Sequence, residues 1–190
     1  MDVVDLKISE IEKLTGAENK YWICGHVVGE FLYKQIVEIS AKTVLEFGTS
    51  VGYSALWMAK ALKPIGGRLL TVESHKERGD LAAKHFEEAG VMDVISLVRG
   101  HAPEVLMQKD VFKDTMFDMA FFDATKYEHL SYFDFVYPRL KKGGVLVVDN
   151  VISHGDGNMM RKFLDLVAQH PGIASEIIDI GSGILIGRKQ

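Results

Sequence analysis

The chain has 190 residues, with 22 Lys and Arg against 26 Asp and Glu, a formal net charge of -4, and 47% hydrophobic and 25% charged residues, the composition of an ordinary globular protein. That length predicts one domain able to bury roughly 70% of its unfolded surface without metal or disulfide staples; the single cysteine, Cys24, excludes an intramolecular disulfide framework and points to the reducing cytoplasm. The mild acidity argues against a protein that coats nucleic acid, the charged N-terminus does not read as a targeting segment, and no apolar run approaches the about 18 residues of a membrane span.

Val4, Ile8, Ile11 and Leu14 recur at helical spacing and predict a first helix that Gly16 ends. A second helix is predicted from about Trp22 to Ile39, with Val28, Phe31, Leu32, Gln35 and Ile36 near one side; it takes in Cys24, which reads as packing. These two helices occupy residues 1–41, ahead of a core at 42–190. From Thr43 the pattern becomes short apolar runs bounded by turn residues, namely Thr43 to Phe47, Arg68 to Glu73, Val94 to Val98, Phe117 to Phe122 and Val145 to Val148. Helices between them begin near Tyr53, Lys76, Pro103 and Tyr127, and Gly66-Gly67, Gly90 and Gly143-Gly144 mark the returns to the sheet. That alternation is the form of a parallel sheet with crossover helices. A helix from about Asn158 to Gln169 and strands at Ser175 to Ile180 and Ile184 to Arg188 follow. The link Gly181-Ser182-Gly183 is too short for a parallel crossover, so the last pair is antiparallel. The expected fold is a doubly wound, Rossmann-like α/β sheet of seven strands, five of them parallel, with a C-terminal antiparallel hairpin and two N-terminal helices.

In such sheets ligands bind beyond the carboxyl ends of the strands. After strand one, Glu46-x-Gly48-x-x-x-Gly52 makes a tight turn into a helix, where glycines let backbone N–H groups approach a ligand; it could equally be a tight turn with no ligand. It is not the Gly-x-Gly-x-x-Gly of dinucleotide folds, because Ser50 and Tyr53 stand in two of the positions. Strand two ends in Glu73, 25 positions after Gly48, where a carboxylate can accept from both hydroxyls of a ribose or, taken alone, could equally be a solvated strand end. Strand four ends in Asp123 with Lys126 three residues on, and strand five ends in Asp149-Asn150. On neighbouring strands these would converge as an all-oxygen site for a hard divalent cation such as Mg²⁺, Mn²⁺ or Ca²⁺; the alternative is that each Asp caps a turn. Lys126 is the candidate base, since a nearby cation and partial burial favour the neutral amine. His101 lies where a cofactor base could rest, and His154 where a substrate could touch it, or both are surface histidines. Tyr127, Tyr132, Phe133, Phe135 and Tyr137 read as core against the sheet, with one or two at a subunit interface. Trp22, Ile23 and Phe31 could likewise form a dimer surface or be buried within one chain.

The runs VLEFGTSVGYSALWMA, TVES, FFDATKYEHL and LKKGGVLVVDNV, in this order over roughly Thr43 to Val151, resemble the cation-dependent O-methyltransferases related to the catechol and caffeoyl-CoA enzymes, within the class I S-adenosylmethionine-dependent methyltransferases. The resemblance implies that Glu46, Gly48, Ser50, Tyr53 and Ser54 surround the methionine end of S-adenosylmethionine, that Gly52 and Asp123 also belong to the cofactor site, that Glu73 holds the ribose, that Ser74 lies along the adenosine, and that Gly100, His101 and Ala102 flank the adenine. It implies Asp123, Asp149 and Asn150 as ligands of Mg²⁺ or another divalent cation and Lys126 as general base. His101 replaces the acidic residue that many methyltransferases carry there, and Ala124 and Thr125 replace a bulkier pair that walls the catechol in the mammalian enzyme. The catechol wall is thus not reproduced; the resemblance implies a small hydroxylated acceptor, with tRNA bearing 5-hydroxyuridine as the alternative, which the net charge disfavours. Two rival readings are a nicotinamide-dependent oxidoreductase, opposed by the missing glycine fingerprint, and an idle cofactor-binding scaffold, opposed by the intact set Asp123, Lys126, Asp149 and Asn150.

Overall fold

The strands are short and rich in Val, Leu, Ile, Phe or Met, and each parallel strand is followed by a helix that returns the chain to the sheet. The computed structural model describes residues 2–18, 21–108, 110–153 and 157–190. Its elements in chain order are α1 (Val3–Glu18), α2 (His26–Glu38), β1 (Thr43–Phe47), α3 (Tyr53–Leu62), β2 (Arg68–Glu73), α4 (Lys76–Glu88), β3 (Ile95–Arg99) and α5 (Ala102–Gln108), then β4 (Phe117–Phe122), α6 (His129–Arg139), β5 (Leu140–Val148), α7 (Asn158–Gln169), β6 (Ile173–Ile178) and β7 (Ile184–Lys189). The seven strands are ordered β3-β2-β1-β4-β5-β7-β6. Strands β1 to β5 pair in parallel, and β7 runs antiparallel to both β5 and β6. The order reverses between β1 and β4, which opens a crevice at the carboxyl ends of these two strands.

Alternation along the strands divides the core into two layers. Leu45, Phe47, Val72, Ala120, Phe122, Leu146 and Val148 face α5, α6 and α7 with Tyr132, Phe133 and Phe163. Val44, Leu69, Met119, Phe121, Val145 and Val147 face α3 and α4. Helices α1 and α2 pack outside α3, so α3 is buried on nearly every side. That explains its apolar sequence, YSALWMAKAL, which lacks the polar stripe of a surface helix.

Several boundaries depart from the sequence expectation. Helix α1 passes Gly16 and runs to Glu18. Helix α2 starts at His26, not Trp22, because Gly25 sits at φ 82, outside helical space. Cys24 is therefore in a non-helical stretch. Strand β3 begins at Ile95 and α5 at Ala102; Lys126–Glu128 form a 3-10 turn before α6, and β6 ends at Ile178. Gly143 and Gly144 do not close a helix: they lie inside β5, which begins directly after α6 and shifts register against β4 between Phe117 and Met119. No helix among the described residues is long and apolar enough to cross a membrane.

Candidate active site

The turn after β1 packs against the end of β4. At Gly48 (φ 97) an added Cβ would lie 2.2 Å from the carbonyl oxygen of Asp123, and at Gly52 (φ 87) 2.5 Å from the Phe86 ring. Glycine is thus required here by close packing as well as by positive φ. The N–H groups of the turn are already used within the chain: those of Gly48 and Thr49 donate to the Val72 carbonyl, that of Ser50 to Glu73 Oε2 at 2.7 Å, and that of Gly52 to the Thr49 carbonyl. These bonds tie the turn after β1 to β2.

Glu73 Oε1 accepts from the His75 N–H at 2.7 Å, so both carboxylate oxygens are oriented by backbone donors. Each retains a lone pair for a further donor. Below it, Glu46 is fully buried, with Oε1 accepting from Ser54 Oγ at 2.5 Å and Oε2 from Thr71 Oγ1 at 2.6 Å. Burial pushes its carboxyl up to about 7 against the opposing effect of the two hydroxyl donors, with Asp123 and Glu73 adding to the rise.

One cavity of about 1130 Å³ spans the carboxyl ends of β1 to β5. Its lining brings together Gly48, Ser50, Glu73, Ser74, Gly100, His101, Ala102, Asp123, Lys126, Asp149 and Asn150 of the sequence expectation. Glu46, Gly52, Tyr53 and Ser54 lie behind the wall: Tyr53 is buried with its hydroxyl donating to Glu12 of α1, and Ser54 is spent on Glu46. His154 falls outside the described residues. Two of the non-glycine residues at positive φ, Ser50 (φ 48) and Asn150 (φ 63), are on this lining, as strained backbone often is.

At the ends of β4 and β5 two more carboxylates stand close together. Asp149 is 1% exposed, and its Oδ1 accepts from the Asn150 N–H at 2.6 Å. Asp123 is pushed up to about 7, first by burial and then by the neighbouring Asp149 charge, against the pull of Lys126. Lys126 Nζ donates to Asn150 Oδ1 at 2.8 Å and lies 3.6 Å from Asp123 Oδ1. The donor set here is two carboxylates and one amide oxygen; no group of three His, Cys, Asp or Glu suited to a metal occurs among the described residues.

The sequence reading missed several lining residues. Tyr21, Trp22, Ile23 and Cys24 cross the cavity between α1 and α2, with Trp22 85% exposed. Gly25 was the available signal, as a helix-start glycine that frees the preceding residues from α2. Burial, with the charges of Asp123, Asp149 and Glu46, holds the Cys24 thiol well above its usual pKa, which suits packing and not a nucleophile. Glu128 and Tyr132 also reach the cavity; among the aromatics, Tyr132, Phe133 and Phe135 are core, while Tyr127 is exposed.

A family model described as O-methyltransferase matches residues 8–190. Catechol O-methyltransferase of Mycobacterium tuberculosis is 32% identical over 170 residues, covering 85% of this chain and 73% of its own. The Niastella koreensis enzyme of the same name is 35% identical over 145 residues, covering 76% of this chain but 62%, less than two thirds, of its own length. Among solved structures, an O-methyltransferase from Bacillus cereus in complex with SAH aligns with a TM-score of 0.86 at 27% identity, over 97% of this chain and 90% of the other.

Proposed function

The chain belongs to the O-methyltransferase family, and from that premise we propose that it transfers a methyl group from S-adenosylmethionine to a hydroxyl flanked by a second oxygen, in a small catechol-like acceptor. The observation that carries this reading is the convergence of Asp123, Lys126, Asp149 and Asn150 at the ends of neighbouring β4 and β5, in one cavity with Glu73.

The donor set fits a hard divalent cation, Mg²⁺ first, because two crowded carboxylates and an amide oxygen are all-oxygen and carry compensating charge. Asp123, Asp149 and Asn150 would hold it, and it would supply Lewis acidity and a template for two adjacent acceptor oxygens. Glu73 takes the ribose hydroxyls on its remaining lone pairs, its position fixed by the Ser50 and His75 N–H groups. Lys126, within reach of both Asn150 and Asp123, takes the acceptor's hydroxyl proton at Nζ. The acceptor oxygen then forms its bond to the methyl carbon as the carbon–sulfur bond breaks and its electron pair returns to sulfur.

A small acceptor is favoured over tRNA by the charge of the wall, where Glu73, Glu77, Asp123, Glu128 and Asp149 face only Arg78 and Lys126 among the described lining residues. Methyl transfer to catechol, measured with Mg²⁺ and after chelation, tests the reading, together with titration of Mg²⁺ into protein saturated with S-adenosylhomocysteine. Cation-dependent transfer that disappears in Asp149→Ala supports it. Transfer at full rate after chelation removes the cation from the mechanism.

A further inference from the structure

His101 follows β3 and Glu128 follows β4, and in the sheet β2 and β1 lie between those strands. The two side chains nevertheless meet, with His101 Nε2 at 2.5 Å from Glu128 Oε1, so a polar bridge passes over the carboxyl ends of β2 and β1. The second carboxylate oxygen of Glu128 accepts from the hydroxyl of Tyr132, a side chain only 1% exposed. Both oxygens are pinned, one from each side, and the carboxylate, its side chain 21% exposed, lines the cavity.

A pinned carboxylate that keeps free lone pairs is a reader of donors. With a ribose on Glu73 and the reacting methyl directed at Lys126, as proposed above, the purine would fall on the β3 side of the cavity, which Gly100, His101 and Ala102 line beside the bridge. An adenine edge there presents an exocyclic amine. Position 101 has no carboxylate to receive it, and Glu77, on the same side, is solvent-exposed. We propose that Glu128, positioned by His101 and Tyr132, accepts from the exocyclic amine of the purine and so sets the nucleobase specificity of the methyl donor, an inference that rests on the methyltransferase reading above.

S-adenosylhomocysteine and S-inosylhomocysteine, in which a carbonyl replaces the amine, are titrated calorimetrically into wild type, Glu128→Gln, His101→Gln and Glu73→Gln. Wild type is expected to prefer the adenosyl compound by about tenfold or more, since a charge-assisted hydrogen bond is exchanged for two facing acceptors. Glu128→Gln, whose amide can also donate, should reduce that ratio to near one or invert it. His101→Gln should lower the ratio partway, which a merely structural loss would not do, because such a loss weakens both compounds alike. Glu73→Gln should weaken both and leave the ratio unchanged. A wild-type ratio near one, or an unaltered ratio in Glu128→Gln, overturns the assignment of Glu128. Binding of neither compound by folded wild type overturns the methyl-donor reading, and this inference with it.

Discussion

The two halves of the cavity treat buried charge differently. At the ends of β1 and β2, Glu46 and Glu73 each have both oxygens occupied by donors from this chain, through Ser54, Thr71, Ser50 and His75. At the ends of β4 and β5, Asp123 and Asp149 crowd each other with one ammonium, Lys126, between Asp123 and Asn150. A carboxylate whose two oxygens are oriented by backbone donors, as those of Glu73 are, can position a ligand. Two neighbouring carboxylates with an amide oxygen beside them suit the cation proposed above. On the proposed function, the difference separates a positioning half from a chemical half.

Breaking the chemical half should cost most. Asp149→Ala is expected to lower kcat/KM for a catechol acceptor by about 10³-fold or more, the several kcal/mol of charge stabilisation that a cation provides, and to abolish Mg²⁺ binding in calorimetry while S-adenosylhomocysteine still binds. Lys126→Met should lower kcat by about 10²-fold through loss of proton transfer, with little change in the affinity for S-adenosylhomocysteine. An unchanged kcat in Lys126→Met would move the base elsewhere. In the positioning half, Glu73→Gln should act chiefly on binding, raising KM for the methyl donor about tenfold with a smaller effect on kcat. If Glu73→Gln instead lowered kcat as severely as Lys126→Met, the division between the halves would fail.

The same division governs what could be read from sequence. The strand ends are legible because hydrophobic runs stop at an Asp or Glu, so Glu73, Asp123 and Asp149 are placed by periodicity alone and the sheet then brings them together. Glu46 is not distinguishable in this way, because nothing in its spacing says whether it points into the cavity or behind it; only the Ser54 and Thr71 hydroxyls show that it is spent inward. Trp22 and Cys24 were concealed by a helical pattern that continues through Gly25, whose φ of 82 interrupts it. Glu128 is invisible for another reason: its partner His101 is 27 positions away, joined by a bridge across two strands that no local pattern records.

The smallest expected effect concerns a buried group that belongs to neither half. His129 opens α6, is 0% exposed, and packs against Phe122, Tyr132 and Phe163, with neither ring nitrogen hydrogen-bonded among the described residues. Burial, helped by the Lys126 charge, pulls its pKa from 6.5 down to about 3. Below pH 6.5 the unfolded ring takes up a proton that the folded ring refuses, so this contribution to stability is intact above that pH and is lost as pH falls toward 3. Glu46 has the opposite sign: its folded carboxyl keeps a proton between 4.5 and about 7 that the unfolded one has lost, so stability rises on acidification through that window. His129→Leu removes the first effect and leaves the second. At pH 7 the variant should be about 1 kcal/mol more stable, because two unpaired polar atoms leave an apolar site. In urea titrations at pH 7 and pH 5 its advantage over wild type should widen at the lower pH, every other titration cancelling in the difference. An advantage that stays constant would mean that the folded ring accepts its proton as readily as the unfolded one, and that a donor or acceptor reaches His129 in solution.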